Sequence, residues 1–197
     1  MEGSKLMHWA IDCDDVMLNF FPNVLDCFER EFDIRPEYDG QPWGDLAKQF
    51  TRHPALIEAG YKDWWGWLRE RDWLWGIAPA VPGSIGGVKT LRAKGHYTEM
   101  VTSKPEWAEP QVWRWLGKWR PPFEQVTISK PGVSKVSVTK ADILIDDKPE
   151  NVQEFAAAGR LGILFDLSGQ HKGTEQDRIY VAHNWADVLA IEEGLSA

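Results

Sequence analysis

An α/β fold built on a five-stranded, mainly parallel sheet is the architecture this 197-residue sequence predicts. Short apolar runs alternate with stretches whose apolar residues recur at helical spacing, the pattern of strand–helix–strand units. Several of these runs stop abruptly at polar or acidic residues, as strands do where loops open a crevice at the carboxyl end of a parallel sheet. Gly and Pro punctuate the segments between them.

The elements follow in order. "LMHWAID" is the first strand, and "NVLDCFEREF" the helix after it. Residues 35–80 break the rhythm: rich in Trp, Pro and Gly, they hold helical pieces such as "PALIEAGYKDWWGWLRERD" and no convincing strand. They are predicted to form a small helical insertion in a core made of 1–34 and 81–197. Pro82-Gly83 then turns the chain, Ser84 is placed to cap a helix through Lys94, and Gly95 ends it. "HYTEMVT" is strand two, "EWAEPQVWRWLGKW" a helix closed by Pro121-Pro122, and "FEQVTI" strand three. "ADILIDD" is strand four, "ENVQEFAAAG" a helix stopped by Gly159, and "LGILFD" strand five. "NWADVLAIEEG" is the last helix, capped by Asn184.

The composition narrows the chemistry. With 30 acids against 22 bases the net charge is -8, which argues against a generic nucleic-acid surface. Capture of an anion needs a local cation inside this acidic chain. Cys13 and Cys27 make neither a disulfide framework nor a zinc site. His8, His53, His96, His171 and His183 share no ligand spacing. No apolar run has the length of a membrane span, and the short lead before the first strand suggests no signal peptide. A cytoplasmic protein with reduced thiols is expected.

The acids stand out. Asp12, Asp14 and Asp15 follow a buried-looking strand, and Asp146 and Asp147 follow another. Taken alone, either group reads as an ordinary solvent-facing loop; two such strand ends in one chain point to a site. Converging carboxylates suit Mg2+, a hard cation that takes oxygen ligands. A phosphate beside it needs donors and a cation as well. Thr102 and Ser103 in "VTSKP" offer hydroxyl and backbone donors, and Lys130 or Lys135 in "ISKPGVSKVSV" an ammonium. Cys13, between the two acids, should point back into the core.

"IDCDDV", "MVTS", a lysine and "ILIDDKPENV", in that order, resemble the motifs of the haloacid dehalogenase (HAD) superfamily of phosphotransferases. "DCDDVMLNF", "PAVPGSIGGVKTL", "LIDDKPENV" and "HNWADVL" resemble more closely the 5'(3')-deoxyribonucleotidase family within it, over nearly the whole chain. The resemblance implies a HAD-like Rossmannoid core with a small helical cap inserted after strand one. It also implies Mg2+-dependent hydrolysis of deoxynucleoside monophosphates through an aspartyl-phosphate. Asp12 would be the nucleophile and Asp14 the acid and then the base. Asp12, the Asp14 carbonyl and Asp147 would hold Mg2+, with Asp146 behind them. Thr102, Ser103 and Lys135, or in its place Lys130, would hold the phosphoryl group. Asp15 stands where deoxyribonucleotidases usually have glycine, and the cap does not align, so base preference does not transfer. A homodimer is a further expectation from the family.

The sequence holds 12 tryptophans. Phe20, Trp64, Trp65 and Trp73 are the candidates for stacking on a nucleobase, against the alternative that they pack the cap. Trp107, Trp113, Trp115 and Trp119 read as helix packing. Two further readings stay open: a phosphatase acting on another small ester or a nucleic-acid end, and a non-catalytic module binding a nucleotide or a protein partner.

Overall fold

The computed structural model describes residues 6–37, 43–167, 169 and 176–196. Its sheet is six-stranded and parallel throughout, in the order β3-β2-β1-β4-β5-β6: β1 (His8–Ile11), β2 (Tyr97–Ser103), β3 (Gln125–Ser129), β4 (Ile143–Asp146), β5 (Leu161–Phe165) and β6 (Ile179–Ala182). The sixth strand corrects the predicted five. "IYVA" is only four residues long and lies on the sheet edge, where Tyr180 stays exposed, so it carries too little apolar pattern to announce itself.

The remaining elements are helices: α1 (Phe20–Phe32), α2 (Trp43–Thr51), α3 (Pro54–Glu58), α4 (Trp64–Arg69), α5 (Trp73–Ile77), α6 (Ser84–Ala93), α7 (Glu109–Trp119), α8 (Lys135–Val138), α9 (Pro149–Ala157) and α10 (Trp185–Ser196). Stops and caps follow the chain's chemistry. Gly95 and Gly159 both take positive φ just past α6 and α9. Asn184 caps α10, its Oδ1 accepting from the Ala186 and Asp187 N–H groups at 2.8 and 3.0 Å. Ser84 does not cap α6: Gly83, at φ 84°, precedes the helix, and the Ser84 hydroxyl donates to the Met17 carbonyl at 3.1 Å.

The sheet order reverses between β1 and β4, so the crevice of such a fold opens above these two strands. The central strands are buried on both faces, as parallel sheets require, with Trp9, Ile11, Ile143 and Ile145 covered on one face and Ala10 and Leu144 on the other. The loop after β1 is pinned from three sides. The Val81 N–H reaches the Met17 carbonyl at 2.8 Å, Ser84 reaches it as well, and the Trp185 indole donates to the Val16 carbonyl at 3.0 Å. Trp185 gets there because Gly87 has no side chain; a Cβ at Gly87 would lie 2.1 Å from the Trp185 ring. The "HNWADVL" stretch therefore fastens the segment that carries Asp12, Asp14 and Asp15.

Between α1 and α6 every helix or strand named among the described residues is a helix, joined by short turns. Two contacts tie this segment down beside the β1 loop: Asn19 N–H to the Pro79 carbonyl at 2.8 Å, and Asn23 Nδ2 to the Leu74 carbonyl at 2.8 Å. Residues 1–5 and 38–42, which fall within the predicted core and insertion, and His171 lie outside the described residues. Among the described residues no helix is long and apolar enough to cross a membrane.

Candidate active site

β1 and β4 run side by side, with Ile11 opposite Ile145, and the Asp12 N–H is bonded to the Ile145 carbonyl at 2.9 Å. That register brings the two acidic strand ends together. Asp12, Asp14, Asp15, Thr102, Ser103, Lys135 and Asp147 all line one cleft of about 320 Å³, joined by Lys104, Lys148, Asn151, Trp65 and Trp75.

Lys135 lies at the centre. The four-residue α8, opened by Ser134 accepting from the Val136 N–H at 3.3 Å, aims this side chain inward. Its ammonium contacts Asp12 Oδ1 and lies 2.5 Å from Asp146 Oδ2, and all three residues are buried. Lys130 is exposed at the end of β3 and does not line the cleft, so Lys135 is the lysine this fold places with the acids.

Asp146 and Asp147, though adjacent, are differently engaged. Asp146 is saturated: besides Lys135, its oxygens accept from Asn151 Nδ2 at 2.9 Å and from the Lys148 N–H at 3.0 Å. Asp147 Oδ1 is buried with no hydrogen-bond partner, a costly state for a carboxylate oxygen. One carboxylate oxygen from each of Asp12, Asp146 and Asp147 falls within 4.8 Å of the others. Hard oxygen donors, one of them orphaned, fit a divalent cation.

The electrostatics agree. Burial pushes the Asp12 carboxyl up, but the ammonium groups of Lys135, Lys104 and Lys148 outweigh it and hold Asp12 below the usual carboxylate range. Burial raises Asp146 despite Lys135, and raises Asp147 well above the usual range, with Lys148 pulling the other way. Burial would lower Lys135; Asp12 and Asp146 instead hold it above the ordinary lysine value. A divalent cation on Asp147 would favour its ionised form.

Asp14 sits at the mouth of this arrangement. Its Oδ2 contacts the Lys104 ammonium, and its Oδ1 accepts from the Trp75 indole N–H at 3.1 Å. Neither partner stands among the sequence candidates, although "VTSKP" contains Lys104 and "WLWG" contains Trp75. Thr102 is buried at the end of β2, and the Ser103 hydroxyl lies 2.9 Å from that of Ser129.

The stacking candidates divide. Trp65 lines the cleft and is 42% exposed. Phe20 is a correction: fully buried, its ring stacks on Trp75 at 4.2 Å and does not line the cleft. Trp64 is also fully buried, packed between Phe50 and Trp67, and Trp73 is outside the cleft lining; both belong to packing. Trp75, two residues beyond Trp73, faces the site in its place. Trp115 is buried as expected, but Trp113 is half exposed, and Trp107 packs edge-on to both Trp65 and Trp75.

Asp15 carries a pH signature. It holds a positive φ of 53° and accepts from the Phe21 N–H at 3.1 Å, tying the loop to α1. Burial first, then Asp14 and Asp12, raise its carboxyl to about 7 from 3.8, against the pull of the Phe21 and Phe20 N–H groups. Between those values the native state keeps a proton that the unfolded chain releases. Stability is therefore full below the unfolded value and falls as pH rises through the native one. Asp15→Asn keeps the acceptor, tolerates the positive φ and removes the titration. In metal-free protein the variant should gain stability over wild type as pH rises from about 4 to about 8, by at most about 2–4 kcal/mol. Thermal unfolding in EDTA across that range checks it; parallel curves for the two proteins would contradict the assignment.

The family described as 5' nucleotidase, deoxy (Pyrimidine), cytosolic type C matches residues 7–193. The human mitochondrial 5'(3')-deoxyribonucleotidase is 22% identical over 197 residues, covering 95% of this chain and 82% of that one. Among solved structures, the HAD-hydrolase YfnB from Bacillus subtilis, bound to magnesium, superposes with a TM-score of 0.67 at 13% identity, covering 95% of this chain and 99% of that one. A haloacid dehalogenase-like hydrolase from Xanthomonas campestris gives 0.61 at 12% identity, covering 98% and 97%.

Proposed function

From a chain that belongs to the cytosolic type C 5'-nucleotidase family, and so to the phosphoric monoester hydrolases of the HAD superfamily, we propose a Mg2+-dependent deoxyribonucleotidase of the cytoplasm. It hydrolyses deoxynucleoside monophosphates to nucleoside and phosphate. The observation that carries this reading is the pairing of Asp12, kept ionised by Lys135, with Asp14 in the same cleft as Asp147.

Asp12 attacks phosphorus: a bond forms between its carboxylate oxygen and phosphorus while the bond to the nucleoside oxygen breaks. Asp14 gives its proton to that leaving oxygen. It then takes a proton from the water that attacks the aspartyl-phosphate, which frees phosphate and restores Asp12. Thr102, Ser103 and Lys135 hold the phosphoryl oxygens, offsetting the repulsion between a carboxylate and a phosphate dianion. Asp12, Asp147 and the Asp14 carbonyl would hold Mg2+, which would supply charge neutralisation there. Asp146 keeps Lys135 and the β4 end in place.

The residues between α1 and α6 act as a cap over this cleft. A volume of about 320 Å³ suits a small ester better than a polymer end, and Trp65 at the rim offers a face to a base. The test is phosphate release from deoxy- and ribonucleoside 5'- and 3'-monophosphates, with Mg2+ and with EDTA. Metal-dependent release that favours deoxynucleotides is expected. Release from other small esters alone moves the substrate class, and none from any ester leaves the binding-module reading.

A further inference from the structure

The two oxygens of Asp14 are held by different parts of the chain. Lys104, directly after β2, contacts Oδ2; Trp75, from α5, donates its indole N–H to Oδ1 at 3.1 Å. Trp75 is itself held on every side. It is 1% exposed, stacks on Phe20 at 4.2 Å and 15°, and meets the edge of Trp107 at 5.7 Å. The Lys104 ammonium lies 5.6 Å from its ring. Its helix is seated by close approach to α7: a Cβ on Gly76 would lie 2.7 Å from Gln111 and 2.8 Å from Arg114. The Trp115 and Trp119 indoles then hold the Ala78 carbonyl at 3.0 and 3.3 Å.

A buried indole N–H needs an acceptor; Trp115, Trp119 and Trp185 find theirs in backbone carbonyls, whereas Trp75 finds its acceptor in the Asp14 carboxylate. We propose that Trp75 is a positioning residue for the proton-transfer steps, through which the inserted helices fix the Asp14 carboxyl in its working orientation. An indole N–H only donates, so Oδ1 remains an acceptor through both half-reactions. The cap thus completes the acid–base group as well as covering the cleft. This rests on the phosphatase reading of the site and is independent of which ester is the substrate.

The test uses leaving groups of different need. p-Nitrophenolate departs without protonation, whereas an alkyl or nucleoside oxygen requires it. Trp75→Phe keeps a ring against Phe20 and removes the N–H. With an alkyl phosphate or deoxynucleotide, kcat should fall about tenfold or more with KM changed less than about twofold. Single-turnover release of p-nitrophenolate should stay within about twofold of wild type. In an Asp14→Asn background the same substitution should cost nothing further. Trp75→His, which retains a ring N–H, should recover part of the loss and serves if the Phe variant is unstable. An equal loss on both kinds of ester, or a raised KM with kcat unchanged, would overturn the proposal in favour of packing or base contact. Activity on synthetic esters with none on deoxynucleotides would instead overturn the substrate assignment, and the ratio of leaving groups would still decide Trp75.

Discussion

Asp12→Asn should abolish phosphate release, with a loss on the order of 10⁴-fold or more, because an amide oxygen does not form the acyl-phosphate on which turnover depends. The fold should survive. Lys135 keeps Asp146 as its partner at 2.5 Å, and the Asp12 N–H bond to Ile145 does not involve the side chain. Phosphate assays together with an unfolding curve separate the two effects. Residual turnover within about tenfold of wild type in a folded variant would remove Asp12 from the nucleophile's role.

Lys135→Met should have the second-largest effect, and on two properties at once. It strips the ammonium from two buried carboxylates, Asp12 and Asp146. Removing one partner of such a buried cluster destabilises by about 3–5 kcal/mol, and losing a phosphoryl-binding cation costs on the order of 10²–10³ in kcat. Mg2+ should restore part of the stability and little of the rate. Lys130→Met, on an exposed loop, should change neither. Denaturant unfolding and steady-state kinetics on both variants check this. Equal behaviour of the two lysines, or a larger kinetic effect at Lys130, would contradict the site described here.

What the sequence could and could not disclose follows from the range of each interaction. β1, β2 and β4 were legible because an apolar run ending in acids or hydroxyls is a local pattern, and their register then brings Asp12, Thr102 and Asp147 together. β6 was not, since four residues at a sheet edge leave no such pattern. Lys104 was hidden in plain view: it follows Thr102 and Ser103 directly, but whether a residue just past a strand turns in or out depends on the loop. Choosing Trp73 over Trp75 was a matter of helix face. The two side chains, two residues apart on α5, point in different directions, and only the packing of α5 on α7 selects between them. Phe20 failed as a stacking residue for a related reason, because Trp75 already covers its ring. Asn151 carried a readable signal: five residues after Asp146, in the first turn of α9, it is within reach of the strand end it caps.

Asp12 should form a covalent bond to the phosphoryl group during turnover. This bond is tested most directly by mixing the Asp14→Asn variant with radiolabelled p-nitrophenyl phosphate and Mg2+, quenching in acid, and mapping the label. With an activated leaving group, phosphorylation proceeds without the acid, while hydrolysis lacks its base, so the intermediate should accumulate. One hydroxylamine-labile phosphoryl group is expected on the peptide that contains Asp12, absent when Asp12 is also replaced by Asn. Nitrophenolate release with no label on the chain at any time, or with the label on another residue, would contradict it.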